Sequence, residues 1–229
     1  MNSINNSPAS GSVLPEGRVL AVMPLRDGHS GKSRLASMAS PAQRTAIIGA
    51  LAHHVAGCLV RAPQVAEVLV VTNAADFARN VLPADAKITI TQQPAERPGL
   101  NNAAMLGLEH GRATGRRRVL TMHADLPNIT DDDVSALIET SGDLVLAPDR
   151  LDDGTNAIVT DTELAGFEFH FGAASFRAHH SAGENIGAHV VIVRRDGLAL
   201  DLDTVEDWHS LPANTRRWLR PREATQPDQ

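Results

Sequence analysis

Short apolar runs alternate with segments of helical periodicity, and this alternation constrains the fold of the chain more than any other feature. Runs rich in Val, Leu and Ile predict strands at 18–23, 68–72, 88–91, 119–123 and 144–147. Helices are predicted between them at about 41–59, 75–80 and 101–110, and after Thr130. Strands separated by helices are typical of parallel strands joined by crossover connections. The sequence therefore predicts an α/β fold with a single doubly wound, mostly parallel sheet and helices on both faces.

Two of these helices carry clear start signals. Ser40 stands at a cap position, Pro41 follows at the first helical position and Gln43 comes at the third, which is the pattern of a capping box. Thr130 precedes three aspartates at 131–133, whose negative charge suits the first turn of a helix. Both patterns predict helix starts at these residues.

The last third of the chain has a different pattern. Short strands are predicted at 157–159, 167–171, 190–193 and 198–202, with one convincing helix at 175–182. Strands that follow one another without helices favour an antiparallel element in this part of the sheet. We expect a disordered tail at 1–17, a folded domain at 18–212 and a polar C-terminal tail at 213–229.

Composition excludes several classes of function. A net charge of −6 argues against a nucleic-acid-binding protein or one that binds an anionic membrane surface, because those surfaces need concentrated Lys and Arg. No apolar run approaches the roughly 18 residues of a membrane span, and no secretory signal is visible. Cys58 is the single cysteine and cannot form an internal disulfide. We expect a cytoplasmic protein.

Ligands of open α/β sheets bind at the carboxyl ends of the strands, and the loop after the first strand has suitable residues. It contains Gly28, Gly31, Lys32 and Arg34, so backbone amides and two cations could meet phosphate there. It is not a P-loop, because Arg26 stands where that motif needs glycine. A surface loop with solvated cations explains the same residues equally well.

Acidic residues follow two of the predicted strands. Asp125 comes directly after the strand at 119–123, and Asp201 and Asp203 lie on the same side of the strand predicted at 198–202. One or two carboxylates together with substrate phosphate oxygens suffice for Mg²⁺. An aspartate that only caps a turn is the ordinary alternative for Asp125. The sequence leaves open whether Asp201 contacts a metal as well.

Two glycine-containing corners, at 153–156 and 171–176, are further candidates for an anion site. The second corner opens a helix, where backbone donors and the hydroxyl of Ser175 could bind an anion. Taken alone, both corners are better explained as ordinary turns.

The ordered set of these segments resembles the phospholactate guanylyltransferase family over nearly all of residues 18–212. The segments that carry the resemblance are 32–35, Leu100-Asn101, 124–127, 154–156, 171–176 and 201–204. The resemblance implies a nucleotide-diphospho-sugar-transferase fold and an enzyme that transfers GMP from GTP to a small phosphorylated hydroxyacid. The acids used in that family are 2-phospho-L-lactate, phosphoenolpyruvate and 3-phospho-D-glycerate, and the product is a precursor of coenzyme F-420.

The resemblance also implies roles for individual residues. Lys32 and Arg34 would hold the triphosphate and act in catalysis, and Asn101 would help to seat the nucleoside. Asp125, a further catalytic residue, and Asp203 would bind Mg²⁺. These residues form the implied nucleotide and metal sites.

The acid site implied by the resemblance is separate. Thr155, Gly172 and Ser175 would bind the phosphorylated acid. The chain departs from the family at Arg26, where a lysine is usual; the charge is kept but the geometry of the donor changes. A contact from Arg26 to phosphate is therefore left open.

Two other functions fit the same residues. One is a nucleotidyltransferase of the same fold that acts on a molybdopterin or sugar-phosphate acceptor, because a fold does not fix a substrate. The other is a non-catalytic nucleotide-binding module. The sequence does not choose among the three acids, and it leaves the oligomeric state open, a homodimer included.

Overall fold

The structure is a computed structural model that describes residues 19–26 and 32–220. These residues form a seven-stranded sheet. The strands are β1 Val19–Leu25, β2 Val65–Thr72, β3 Ile88–Gln92, β4 Arg118–Met122, β5 Leu144–Pro148, β6 Thr155–Asp161 and β7 Val190–Ile192. The tail predicted at 1–17, residues 27–31 of the first loop and residues 221–229 of the C-terminal tail lie outside the described residues.

The helices within the described residues alternate with the strands as far as β5, as expected. They are α1 Pro41–Arg61, α2 Ala75–Val81, α3 Leu100–Ala113, α4 Asp131–Glu139, α5 Ser175–Asn185, α6 Asp196–Ala199, α7 Val205–Ser210 and α8 Ala213–Leu219. The capping box of α1 is confirmed, since Ser40 N donates to Gln43 Oε1 at 2.8 Å and Gln43 N donates to Ser40 Oγ at 3.3 Å. Thr130 caps α4 in the same way. None of the described helices is long and apolar enough to cross a membrane.

The sheet is mixed, as the sequence predicts. Its strand order is β3-β2-β1-β4-β6-β5-β7. The first four strands in this order run parallel, β6 is antiparallel to both of its neighbours, and β7 is parallel to β5. Leu25 pairs with Thr72, and Thr72 pairs with Gln92, so the carboxyl ends of β1, β2 and β3 lie level at one edge.

Both faces of the sheet are covered by helices. Ala21 and Met23 of β1 pack with α1, α2 and α4 in one apolar cluster, whereas Leu20 and Val22 pack with α3 in another. This division follows from the alternation of side chains along a strand. The aliphatic core is thus built on both sides of one sheet, which fixes the position of the loops at its edges.

Two strands predicted for the last third are wrong. The segment 167–171 is irregular, and 198–202 consists of the end of α6 followed by extended chain that joins no strand. Phe167 and Leu198 are nevertheless buried. The apolar spacing in both segments reflects side-chain burial, which does not require a neighbouring strand.

The folded region also extends past residue 212. Helix α8 occupies 213–219 of the predicted polar tail, and its Leu219 and Thr215 are buried. Leu219 packs in the apolar cluster that contains Leu51 of α1 and Trp208 of α7. Helix α8 is short and contains two arginines, so its sequence gives little sign of this contact.

Candidate active site

A cavity of about 810 Å³ lies at the carboxyl ends of β1 to β4. Its lining includes the residue that directly follows each of these strands, namely Arg26, Asn73, Gln93 and His123. Lys32, Asp125, Asp201 and Asp203 line the same cavity. Its volume is typical of small-molecule sites, and its place at the strand ends is the one expected for an open α/β sheet.

Lys32 is the cation at the centre of the acidic part of the cavity. Its Nζ lies 2.9 Å from Asp125 Oδ2 and 3.1 Å from Asp203 Oδ1, and it also donates to the carbonyl of Leu202. The backbone of Lys32 is left-handed, with φ 54°, and only 6% of its side chain is exposed. Burial lowers the pKa of Lys32, but the carboxylates of Asp125 and Asp203 outweigh burial and raise this pKa above its usual value.

Three carboxylates meet around Lys32. One oxygen atom each of Asp125, Asp201 and Asp203 can be chosen so that all lie within 4.8 Å of one another. Burial, and then the charges of Asp125 and Asp203, raise the pKa of Asp201 to about 6. Asp125 Oδ1 is buried and has no hydrogen-bond partner among the described residues. Clustered carboxylates with an unpartnered buried oxygen fit a hard divalent cation such as Mg²⁺.

Hydrogen bonds position the segment that carries Asp201 and Asp203 beside Asp125. Leu202 N donates to the carbonyl of Asp125 at 3.1 Å, which ties the segment after α6 to the loop after β4. The buried side chain of Asn156 donates to the carbonyl of Leu198 at 2.8 Å, and Asp203 N donates to Asp207 at 3.1 Å. Asp201 and Asp203 therefore lie close to Asp125, although the segment that contains them is not a strand.

Arg34 and Asn101 lie outside the described lining of the cavity. Arg34 is exposed on a short 3-10 turn at Ser33–Leu35, directly after Lys32. Asn101 donates to the carbonyl of Phe171 at 3.3 Å and accepts from Phe171 N at 2.6 Å. The structure thus gives Asn101 a contact that fixes the loop before α5, and the nucleotide contacts of both residues stay predictions.

The predicted acid-binding residues are not part of the described lining of this cavity either. Thr155 and Ser175 are buried, with Thr155 Oγ1 3.0 Å from His179 Nδ1 and 3.4 Å from Ser175 Oγ. His170 N donates to His179 Nε2 at 2.8 Å, so the proton of the neutral imidazole is on Nδ1 and points to Thr155. Gly172 is exposed and has φ +137°. Acid binding by these residues remains a prediction.

Burial shifts the titration of this corner. The pKa of His179 is lowered to about 3, first by burial and then by the neighbouring His170 and His123. The imidazole is therefore neutral across the physiological range. The hydroxyls of Thr155 and Ser175 form a closed, uncharged network with it.

Four polar residues of the cavity are not among the ligands that the sequence predicts. They are Asn73, Gln92, Gln93 and His123. Each ends a parallel strand or directly follows one. Asn73, Gln92 and Gln93 follow predicted strands, but an amide side chain at such a place is too common to stand out, and His123 falls inside the strand predicted at 119–123.

Sheet topology and cavity together define the class: the chain has a nucleotidyltransferase-like fold, with three clustered carboxylates in its cavity. A nucleotide-diphospho-sugar transferase from Desulfovibrio desulfuricans G20 has a similar structure, with a TM-score of 0.72, 14% identity and coverage of 89% of this chain and 94% of that chain. The 4-diphosphocytidyl-2C-methyl-D-erythritol synthase from Anaerococcus prevotii is also similar, with a TM-score of 0.56, 14% identity and coverage of 84% and 95%. These likenesses establish the fold.

Sequence similarity then identifies the family. Residues 19–214 match the family described as "Guanylyl transferase CofC like", and the chain belongs to it. A phosphoenolpyruvate guanylyltransferase from Sphaerobacter thermophilus is 34% identical over 194 residues, which cover 84% of this chain and 91% of that protein. A 3-phospho-D-glycerate guanylyltransferase from Phenylobacterium zucineum is 33% identical, with coverage of 82% and 86%. The resemblance to guanylyltransferases and the predicted fold are both confirmed.

Proposed function

We propose that this chain is a cytoplasmic, Mg²⁺-dependent enzyme that transfers GMP from GTP to the phosphate of a small phosphorylated hydroxyacid and releases diphosphate. The product would be an activated precursor of coenzyme F-420. Relatives of the chain are named for phosphoenolpyruvate, 3-phospho-D-glycerate and 2-phospho-L-lactate, which share a carboxylate and a phosphate. We propose one of these three acids as the acceptor.

The observation that carries the proposal is the convergence of Lys32 with three carboxylates inside one cavity. Asp125, Asp201 and Asp203 would hold Mg²⁺ through carboxylate oxygens, and Lys32 already lies among them. When bound, the metal would neutralise charge on the phosphates during the transfer. A surface turn with solvated cations would not bury the Lys32 side chain against two acids.

The chemistry needs positioning and charge neutralisation more than a protein nucleophile. A phosphate oxygen of the acid attacks the α-phosphorus of GTP, a new P–O bond forms, and the bond from the α-phosphorus to the bridging oxygen of the diphosphate breaks. The attacking phosphate is already ionised at neutral pH, so no protein base has to remove a proton. Lys32 would bring positive charge to the phosphates, and the cavity walls would hold the two anions in line.

A panel of substrates tests this proposal. Diphosphate release is measured with GTP, CTP and ATP, each with the three acids and with a sugar phosphate, in the presence and absence of Mg²⁺. A deazaflavin-alcohol acceptor traps the unstable product. We expect Mg²⁺-dependent release with GTP and one or more of the three acids. Release with CTP and a sugar phosphate, or no release in any combination, would contradict the proposal.

A further inference from the structure

The cavity has a second polar end, which lies across the sheet from the carboxylates. Asn73, Gln92 and Gln93 stand at the carboxyl ends of β2 and β3, whereas Asp125 follows β4. Three strand spacings separate β3 from β4 in the sheet, which places the two ends roughly 14 Å apart. This span is close to the length of an extended nucleoside triphosphate. If the phosphates bind at the carboxylates, the base would lie at the β3 end.

The side chain of Gln93 is held in one orientation at this end. Its Nε2 donates to the carbonyls of Arg97 at 2.7 Å and Gly99 at 2.8 Å. Both partners are acceptors, so the amide nitrogen must face them and both of its hydrogens are used. The backbone N of Gln93 donates to the carbonyl of Thr72 at 2.7 Å, which anchors the residue to β2.

These contacts leave Gln93 Oε1 as the polar atom of the side chain that has no hydrogen-bond partner among the residues the structure describes. The residue lines the cavity, and its oxygen is an acceptor whose direction is set by the loop at 94–99. A fixed acceptor selects a ligand group that donates. Apolar residues of the same wall, Pro94, Pro98, Leu100 and Ala103, provide a surface on which a purine ring can pack.

We infer that Gln93 is a specificity-determining residue whose Oε1 accepts a hydrogen bond from the exocyclic 2-amino group of guanine. This inference rests on the proposed function. A purine without that amino group would exclude water from the acceptor and leave it unpaired, which costs binding free energy. Gln93 thus selects GTP against ITP, which differs from GTP only in lacking this group.

The test is the ratio of kcat/KM for GTP to kcat/KM for ITP in matched variants. We expect the wild type to favour GTP by roughly tenfold, and Gln93→Met to bring the ratio close to one. Gln93→Glu keeps an acceptor but loses both donors to the loop, so it should use both nucleotides less well while still favouring GTP. It also serves as the second variant if Gln93→Met does not fold.

The control is Asn102→Met, which weakens the same loop without changing the acceptor. Asn102 Nδ2 donates to the carbonyl of Pro98 at 2.7 Å. We expect this variant to retain the GTP preference of the wild type. Equal losses with GTP and ITP in Gln93→Met, or no preference in the wild type, would overturn the inference. If the wild type transfers GMP to none of the acids, the proposed function fails instead, and calorimetric binding of GTP and ITP then makes the same comparison.

Discussion

Two corners of the molecule hold polar side chains in opposite ways. The carboxylate corner consists of Lys32, Asp125, Asp201 and Asp203. The hydroxyl corner consists of Thr155, Ser175 and His179. The first is charged, opens into the cavity and keeps a buried carboxylate oxygen without a partner among the described residues. The second is neutral and buried, and its members bond to one another.

The two corners should therefore respond differently to mutation. The charges of Asp125 and Asp203 help to raise the pKa of Asp201, and such a cluster attracts a cation, so the carboxylate corner is arranged for binding at some cost in stability. A buried hydroxyl network with satisfied hydrogen bonds stabilises the fold instead. Changes at the first corner should therefore affect turnover, and changes at the second should affect the free energy of unfolding.

The largest effect is expected for Asp125→Asn. Loss of one carboxylate charge weakens a Mg²⁺ site with few protein ligands, and we expect turnover to fall by at least about two orders of magnitude while the protein stays folded. Diphosphate release and circular dichroism measure the two properties. Asp76→Asn, which removes an exposed carboxylate paired with Arg79, is the control and should keep full activity. Near-normal turnover of Asp125→Asn at saturating Mg²⁺ would remove Asp125 from the site.

The second largest effect is expected for Lys32→Met. A charge-assisted contact to the transferring phosphoryl group is worth about 3–4 kcal/mol, so kcat should fall by roughly two to three decades. GTP binding should weaken less. Lys87→Met, which changes the other lysine of the chain, tests for a general effect of lost charge; Lys87 donates to carbonyls of Val60 and Ala62 away from the cavity. If kcat holds while KM for GTP rises, Lys32 binds the ground state only.

A smaller effect, on stability, is expected for Thr155→Val. The change leaves the buried Nδ1–H of His179 without its acceptor, which should lower the free energy of unfolding by about 1–3 kcal/mol. Thr160→Val is a matched control on the same strand, because Thr160 Oγ1 has no hydrogen-bond partner among the described residues. Denaturant titration compares the two. Equal stability of the two variants would contradict the structural role of Thr155, and a rise in KM for the acid in Thr155→Val would support the predicted acid binding.

The free energy of unfolding should also depend on pH. His179 has a pKa of about 3 in the folded protein and about 6.5 when unfolded, so the unfolded state binds the extra proton as the pH falls below 6.5. Stability should then decrease by at most about 1.4 kcal/mol per pH unit between pH 6.5 and 3. His179→Asn should have a shallower slope in urea titrations between pH 7 and 4. An identical slope in both proteins would show that His179 is not buried in its neutral form.

Much of this fold follows from local patterns. The caps at Ser40 and Thr130 and the alternation of strands with helices are short-range features, and the structure confirms them. Apolar spacing misled at 167–171 and 198–202, because it reports burial without saying whether another strand is adjacent. The contact of α8 with α1 depends on packing between distant segments, which spacing does not reveal.

In the site, too, some residues can be predicted from the sequence and others depend on contacts between distant segments. Asp125 and Asp203 stand out in the sequence because carboxylates after apolar runs are chemically conspicuous. Gln93 does not, because its orientation depends on carbonyls at Arg97 and Gly99 that only the folded loop brings to it. The hydrogen bond of Thr155 likewise depends on His179, which lies on a different element.

Ligand-induced stabilisation tests the contrast between the corners most directly, because it does not depend on turnover. The midpoint of thermal unfolding is measured for wild type, Asp125→Asn and Thr155→Val, each with and without GTP and Mg²⁺ together. We expect the ligands to raise the midpoint of the wild type and of Thr155→Val by similar amounts, and that of Asp125→Asn much less. Equal stabilisation of Asp125→Asn and the wild type would contradict the assignment of the carboxylate corner as the nucleotide and metal site.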